Sequence, residues 1–356
     1  MKKLGFGLMR LPQEKSGIDI CHSAAMADEF IKRGYTYFDT AYVYEGSEQA
    51  FYKAVGSRHK REEYLLANKL PAWEMNCKED AEKIFQTSLA RCGVEYFDYY
   101  MLHSLTDDKI EDLDRFDCWN FCLKKKAEGK IRNFGFSFHG SPEMLEKLLT
   151  KHPEVDFVQL QINYIDWDNG VIASGKCYEI ARRHNKPIIV MEPVKGGTLA
   201  SLKPEAAGLL TDGSAASYAL RFAATLPGVM MVLSGMSNEQ QMQDNLTTFD
   251  TLKELDEGEK AALAKVSEIM LDSAVVGCTA CRYCVKGCPM EIPIDKIFSA
   301  YNREMLTGNA NERYQKATKD KNGASACIAC GACEDVCPQH LPIIETLKSA
   351  AEKFEK

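Results

Sequence analysis

The segment Phe38-Asp39-Thr40-Ala41-Tyr42-Val43-Tyr44-Glu45-Gly46-Ser47-Glu48 follows an apolar, aromatic run, Tyr35 to Phe38, that reads as a buried strand. Ser47-Glu48 then reads as a helix start with an acid in its first turn. A carboxylate at a strand end with a tyrosine five residues later suggests an active-site loop. A tyrosine hydroxyl has a pKa of about 10 in water, so it gives up a proton near neutrality only with help from neighbours. Two later strand ends offer that help: Asn68-Lys69 after Tyr64 to Ala67, and Leu102-His103 after Phe97 to Met101. A lysine ammonium beside a phenol stabilises the phenolate, and an aspartate holds that lysine charged and in place.

Outward from this segment the chain repeats one pattern of strand, loop and helix. Leu4 to Leu11 reads as a glycine-containing strand, and Ile20 to Arg33 as a helix with Ala24, Ala27, Phe30 and Ile31 on one side. Further strand ends fall at Asp39, Lys69, His103, Ser137, Asn163, Pro193 and Gly235, roughly 26 to 42 residues apart, each interval the size of a βα unit. With the first strand the count is eight, which predicts a TIM (β/α)8 barrel with polar residues at the C-terminal strand ends. The alternative, an open doubly wound sheet, lacks support because Gly5-Phe6-Gly7 is not a phosphate-binding glycine turn.

The order Asp39, Tyr44, Lys69, His103 resembles the catalytic tetrad of the aldo-keto reductase family, and the fragments "LGFGLMRLP", "FDTA" and "GFS" match it as well. The resemblance covers roughly the first 250 residues, the length of one barrel. It implies a nicotinamide cofactor, NAD(H) or NADP(H). It places Ser137 of "GFSFHG" and Gln159 of "VQLQINY" on the carboxamide, with Asn163 nearby. After the seventh strand many relatives carry an aromatic residue that stacks on nicotinamide; this chain has Met191 and Glu192. Lys195 with Gly196-Gly197 is a candidate for the pyrophosphate, through charge and close backbone approach. Ser237, Gln241 and Asn245, in "SGMSNEQQMQDN", complete the candidate cofactor contacts. Relatives that prefer the 2'-phosphorylated cofactor have a lysine and an arginine here, where this chain has Gly235 and Gln241 with Glu239 close by. NADH is therefore expected over NADPH.

Composition bounds the setting. The chain has 356 residues and a net charge of -7, which argues against nucleic acid as the main partner. Mean hydropathy is -0.30, and no apolar run approaches the roughly 20 residues needed to span a bilayer. Met1-Lys2-Lys3 and the six residues before Arg10 are too short for a secretory signal, so a cytoplasmic protein is expected. His139 lies beside the Ser137 site, while His22, His59, His152 and His184 fall in helices or their flanks and are expected in solvent.

Eight of the fourteen cysteines form two runs: Cys278-x2-Cys281-x2-Cys284-x3-Cys288-Pro289 and Cys327-x2-Cys330-x2-Cys333-x3-Cys337-Pro338. This is the spacing of ferredoxins with two [4Fe–4S] clusters, in which the fourth cysteine of each run ligates the other cluster. The expected sets are Cys278, Cys281, Cys284 with Cys337, and Cys327, Cys330, Cys333 with Cys288. Zinc favours two CxxC pairs instead. The remaining six cysteines are expected as inert thiols in a reducing compartment. Ile294, Ile297, Phe298, Tyr301 and Met305 recur at helical spacing, and Ile343 to Phe354 reads as another helix, so this part resembles the helical dicluster ferredoxins. The expected organisation is a barrel over 1–255, a linking helix over 256–273 capped by Asp256 with Glu259, and a small, mainly helical ferredoxin-like domain over 274–356.

The function these readings imply is an iron–sulfur oxidoreductase in which Tyr44 is the proton donor to a small carbonyl substrate and the clusters relay electrons, with an external redox protein as a partner. Two alternatives stay open: a carbonyl reductase whose clusters are structural, and an electron-transfer subunit with a silent barrel. A flavin would divide the electron pair of a hydride, but the sequence carries no flavin motif.

Overall fold

Eight of the runs rich in β-branched and aromatic residues form parallel strands: β1 Leu4–Gly7, β2 Tyr37–Asp39, β3 Leu65–Leu70, β4 Phe97–Leu105, β5 Ile131–Phe138, β6 Phe157–Gln161, β7 Ile188–Met191 and β8 Val229–Ser234. The structure is a computed structural model, which describes residues 2–271, 276–307 and 309–355. Each strand pairs with its neighbours and β8 returns to β1, so the sheet closes into a barrel and the open doubly wound sheet is excluded. The chain divides into two compact units, Met1–Pro193 with Ala219–Glu254, and Val194–Tyr218 with Leu255–Lys356.

In the first unit, the two-residue period of a strand decides which side chains enter the barrel. Tyr37, Ala67, Tyr99, Met101, Phe157, Ile189, Met231 and Leu233 pack together as the interior. Continuing the same parity upward brings Asp39, Lys69, His103, Ser137, Gln159 and Met191 to the inward positions nearest the C-terminal ends, with Asp39 level with Ala67, Lys69 with Met101, and Ser137 with Gln159. Gly5 is needed on the inner wall, because a methyl there would lie 2.7 Å from Leu233 Cδ2. On the outer side Phe30 of the helix Ile20–Lys32 packs against Phe6 and Phe38, with ring centroids 5.6 and 5.4 Å apart. Each such buried ring contributes roughly 1.5–3 kcal/mol. At the opposite end Asp98 joins the bottom of the barrel, accepting from Arg61, Arg132 and the backbone of Leu66.

The first strand is shorter than Leu4–Leu11. It ends at Gly7 and turns into a single 3-10 turn, Leu8–Arg10, where the carbonyl of Leu8 accepts from Ser47 Oγ. A hairpin of two-residue strands, Gln13–Glu14 with Gly17–Ile18, follows; it is too short to show alternation in sequence. The second unit is mainly helical. Its helix Glu257–Leu271 starts at Asp256, which exchanges hydrogen bonds with Glu259 in a capping box. Positions 272 and 273, the expected end of that helix, lie outside the described residues. The helices Ile294–Thr307 and Ile343–Phe354 supply Ile294, Ile297, Phe298, Ile343 and Leu347 to a core that also contains Cys284 and Cys333. Among the described residues no helix is long and apolar enough to cross a membrane.

Candidate functional site

Within the first unit, the loop after β2 is pinned before any chemistry is considered. Ser47 Oγ lies 2.7 Å from Thr40 Oγ1, Tyr44 N donates to the carbonyl of Ala41, and Gly46 takes a left-handed turn at φ 71°. These bonds fold the loop back so that the Tyr44 ring meets β3 and β4. Lys69 Nζ donates to Asp39 Oδ1 at 2.5 Å and to the Thr40 carbonyl at 2.6 Å, and it lies 4.8 Å from the Tyr44 ring centroid. The His103 ring stands edge-on to Tyr44, with centroids 5.8 Å apart. All four residues of the expected tetrad thus converge.

The electrostatics follow from burial. Lys69 is 0% exposed and Asp39 3%. Desolvation raises the Asp39 carboxyl and lowers the Lys69 ammonium, while their ion pair opposes both shifts. Burial also holds the His103 imidazole well below its usual range, helped by the charges of Lys69, His139 and Lys109, so the ring is neutral near pH 7. Beneath the tetrad Glu48 is buried and bridges Asn68 Nδ2 at 2.8 Å and Arg91 at 3.1 Å, which fixes the residue preceding Lys69.

Ser137 Oγ accepts from the backbone of Ser104 at 2.7 Å, and Gln159 Nε2 lies 3.4 Å from Met191 Sδ. Gln159 Oε1 is buried without a hydrogen-bond partner among the described residues, as is Asp39 Oδ2. A buried amide oxygen in that condition fits a ligand donor such as a carboxamide N–H. Asn163 is turned inward: its amide serves Asp166 and the carbonyl of Glu192, and its Oδ1 accepts from Ile165 N and Asp166 N. After β8, Ser237 Oγ donates to the carbonyl of Arg10, Gln241 Oε1 accepts from Ser237 N, and Asn245 Nδ2 donates to Ser234 Oγ. These three contacts knit the loop and the helix Glu239–Asp250 to the barrel.

Two residues near this mouth escaped the sequence reading. Trp73 lies 5.0 Å from the His103 ring and forms a wall beside it, with Lys109 over its face. Arg10 pairs with Glu192 at 3.3 Å, and a methyl on Gly235 would meet its guanidinium at 3.5 Å. A cation therefore stands beside the strand-eight loop after all. Arg10 lies within a family fragment, LGFGLMRLP, but no spacing marks it or Trp73 as a site residue, since each is a single side chain in a 3-10 turn. None of the tetrad lines the surface groove of about 490 Å³ bounded by Pro142, Trp167, Lys176 and Arg183.

In the second unit the two cysteine runs share a backbone plan. Left-handed residues fall at Ala280, Arg282 and Glu291 after Cys278, and at the same offsets, Ala329, Gly331 and His340, after Cys327. Such alternation turns successive N–H groups toward one point and makes an anion-binding concavity; Ala280 N already donates to Cys278 Sγ at 3.4 Å. Burial pushes the Cys278 thiol up to about 12, and the neighbouring Cys281 and Cys337 add to the rise. Cys284 is raised further, with Cys281, Cys278 and Cys337 again contributing after burial. The charge of Cys337, from the second run, thus acts on Cys278 and Cys284 of the first. Conversely, Cys288 lines a cavity with Cys327, Cys330 and Cys333, walled by Ile328 and Leu347. Burial keeps Cys278 and Cys284 protonated until a cation such as bound iron replaces the proton, and two runs of four such donors fit an iron–sulfur group. Among the described residues no three His, Cys, Asp or Glu side chains converge as ligands of a single ion do. Lys195 and Gly196 belong to this unit, beside Gly277 and Thr279.

The model of the Aldo/keto reductase family matches residues 3–268. The chain belongs to that family. As a member of the aldo/keto reductase family it is an NAD(P)H-dependent oxidoreductase, and a 4Fe-4S dicluster domain matches residues 277–341. An aldo-keto reductase of Mycobacterium sp. (strain KMS) is 25% identical over 272 residues, covering 75% of this chain and 89% of its own. An uncharacterized oxidoreductase of Schizosaccharomyces pombe is 29% identical over 128 residues, but that match spans 34% of this chain and 42% of the relative's length. The holo form of an aldo-keto reductase from Bacillus halodurans shares the fold at a TM-score of 0.59 and 24% identity, over 74% of this chain and 91% of its own. One from Klebsiella pneumoniae in complex with NADPH does so at 0.58 and 20%, over 75% and 90%.

Proposed function

We propose that the barrel reduces a small carbonyl compound to an alcohol, or runs the reverse, with Tyr44 as proton donor. The observation that carries this reading is the buried Lys69, held 2.5 Å from Asp39 Oδ1 and 4.8 Å from the Tyr44 ring. A bound nicotinamide supplies the hydride; the proton and its timing fall to this chain. The Lys69 ammonium stabilises the phenolate left when Tyr44 gives up its proton, and Asp39 keeps that ammonium charged. Neutral His103 donates a hydrogen bond to the carbonyl oxygen without competing as an acid. Ser137 and Gln159 hold the carboxamide, and Met191 takes the place of a stacking aromatic. Asn163, Ser237, Gln241 and Asn245 act by shaping the loops around the cofactor. NADH is the preferred form, since Gly235 and Gln241 offer no charge to a 2'-phosphate, Glu239 opposes one, and the cation nearby, Arg10, faces Glu192 at 3.3 Å.

Two [4Fe–4S] clusters, one on Cys278, Cys281, Cys284 and Cys337 and one on Cys327, Cys330, Cys333 and Cys288, would supply one-electron storage and, when the barrel runs in the alcohol-oxidising direction, would relay its electrons to an external carrier protein in the cytoplasm. The functional division we adopt is barrel 1–255, linking helix 256–273 and ferredoxin-like domain 274–356. A second reading, clusters that only hold the fold, draws support from Cys284 and Cys333 standing inside the apolar core. Under it Cys281→Ser harms folding yet spares turnover in the protein that survives.

Glyoxal is the first probe, because a Bacillus subtilis relative, 28% identical over 44% of this chain and 63% of its own, is named glyoxal reductase. Tyr44→Phe is expected to lower kcat by about 10²–10⁴ while NADH binding, read by fluorescence, is retained. Full turnover in Tyr44→Phe removes tyrosine from the chemistry.

A further inference from the structure

Lys195, Gly196 and Gly197 look in sequence like a pyrophosphate loop, yet in the second unit they pack onto the start of the first cysteine run. Gly196 takes φ 64°, and a methyl there would lie 2.5 Å from Thr279 Cα and 3.0 Å from its carbonyl oxygen. Backbone thus meets backbone at a distance that no side chain permits. Two residues before Thr279, a methyl on Gly277 would meet Lys195 Cε at 3.2 Å and Nζ at 3.6 Å. Gly277 is bonded to Cys278, the first ligand of its set. Lys195 itself holds a left-handed backbone, φ 46°, a conformation that is strained in a residue with a Cβ. The two glycines and the strained lysine together lay one ammonium on the peptide that carries Cys278.

The other charges near the two sets differ. Asp295 acts on Cys278 and Cys284, but its carboxylate faces Arg282 Nε at 3.7 Å. Beside Cys333 stands Glu334, whose Oε1 accepts from Ile344 N at 2.8 Å. One set therefore has a lysine beside the residue that precedes its first ligand, with its acid Asp295 facing Arg282, and the other has an acid next to a ligand.

We infer that Lys195 tunes the reduction potential of the cluster on Cys278, Cys281, Cys284 and Cys337, holding it above that of the cluster on Cys288, Cys327, Cys330 and Cys333. The inference rests on the two-cluster reading. Accepting an electron makes a cluster more negative, so a nearby cation favours the reduced form, and net charge is one of the levers on such potentials. A unit charge roughly 10 Å away, at an effective dielectric near 20, changes the oxidised-to-reduced ratio on the order of tenfold. For a one-electron couple that is about 59 mV. Lys195 is in this account a positioning charge and not a catalytic residue, and it leaves the pyrophosphate to other groups.

The test is a potentiometric titration of the anaerobically purified, full-length holoprotein, with dithionite as reductant and electron paramagnetic resonance as readout. Lys195→Gln should lower one of the two potentials by the equivalent of roughly tenfold in ratio and leave the other in place. Lys195→Arg should restore it. Gly277→Ala, which pushes a methyl toward Lys195 Cε, should shift the same signal in the same direction and covers the case in which Lys195→Gln assembles poorly. NADH affinity should not change in any of them. Two unmoved potentials, or two that move equally, overturn the inference, as does weakened NADH binding with fixed potentials, which would return Lys195 to the pyrophosphate. Wild-type iron far below eight per chain overturns the two-cluster reading itself, and the inference with it, before any variant is compared.

Discussion

At the barrel mouth, Asp39 and Lys69 come from strands thirty residues apart and meet because the register of β2 on β3 brings both to the inner wall. In the cysteine unit, Cys278, Cys281 and Cys284 lie in one short stretch of chain, and in the ligand set we propose Cys337 alone comes from far along it. The first site is made by sheet geometry, with Asp39, Lys69 and His103 buried and Tyr44 partly exposed; the second, as proposed, is made by local spacing and closed by one distant ligand. A site of the first kind should fail as a unit when one partner is removed, and a site of the second kind should fail one ligand at a time.

The largest effect should come from Lys69→Met. It leaves Asp39 as a buried, uncompensated carboxylate, which costs about 3–5 kcal/mol of stability. It also removes the charge that assists Tyr44, so turnover should fall by about 10²–10⁴. Denaturant unfolding and NADH consumption with glyoxal read the two losses, and a variant of normal stability would show that the pair is not what holds the mouth together. Next is Cys337→Ser. If Cys337 completes the first set, this variant and Cys284→Ser lose the same cluster, about half of the iron, and leave the same surviving resonance spectrum, whereas Cys333→Ser leaves a different one. Matching spectra for Cys337→Ser and Cys333→Ser would instead make each run self-contained.

A smaller effect is expected from pH. Burial depresses the pKa of His103, so below about pH 6.5 the unfolded chain takes up a proton that the folded chain refuses. Stability should therefore decline as pH falls through that window, by up to about 1.4 kcal/mol per unit from this residue, and His103→Gln should flatten the decline. Equal slopes in the two proteins would place His103 in a wetter site than the structure does. The smallest shift should follow Glu192→Gln, which frees the Arg10 guanidinium from its ion pair. The ratio of NADPH to NADH affinity should rise about two- to fivefold, the scale of a half-exposed pair; an unchanged ratio would take Arg10 out of cofactor choice.

The same contrast explains what the sequence could show. The places of Asp39, Lys69 and His103 at strand ends were legible because strand ends recur at βα intervals and the family fragments are local. The cysteine runs were legible because ligand spacing is itself local. Trp73 and Arg10 were not, since no spacing in their own neighbourhoods marks them as site residues; their importance arises from the rings and carboxylates they reach across the barrel mouth. His152, expected in solvent, instead stacks on Trp119 with centroids 3.7 Å apart, a contact between segments that periodicity does not connect. Lys195 illustrates the limit most clearly. Its loop follows β7 in sequence, yet tertiary packing groups it with the cysteines, and no window around "VMEPVKGG" contains Gly277 or Thr279.

The most direct measurement of the central claim is to add NADH, without oxygen, to the full-length holoprotein and record its visible spectrum. One hydride carries two electrons and each cluster takes one, so a two-electron carrier such as a flavin has to divide the pair; with such a carrier bound to the holoprotein, the account predicts that the broad cluster absorption bleaches. An unchanged spectrum, with fluorescence showing that NADH is bound, would contradict the relay and leave a carbonyl reductase with an iron–sulfur module that serves its fold alone.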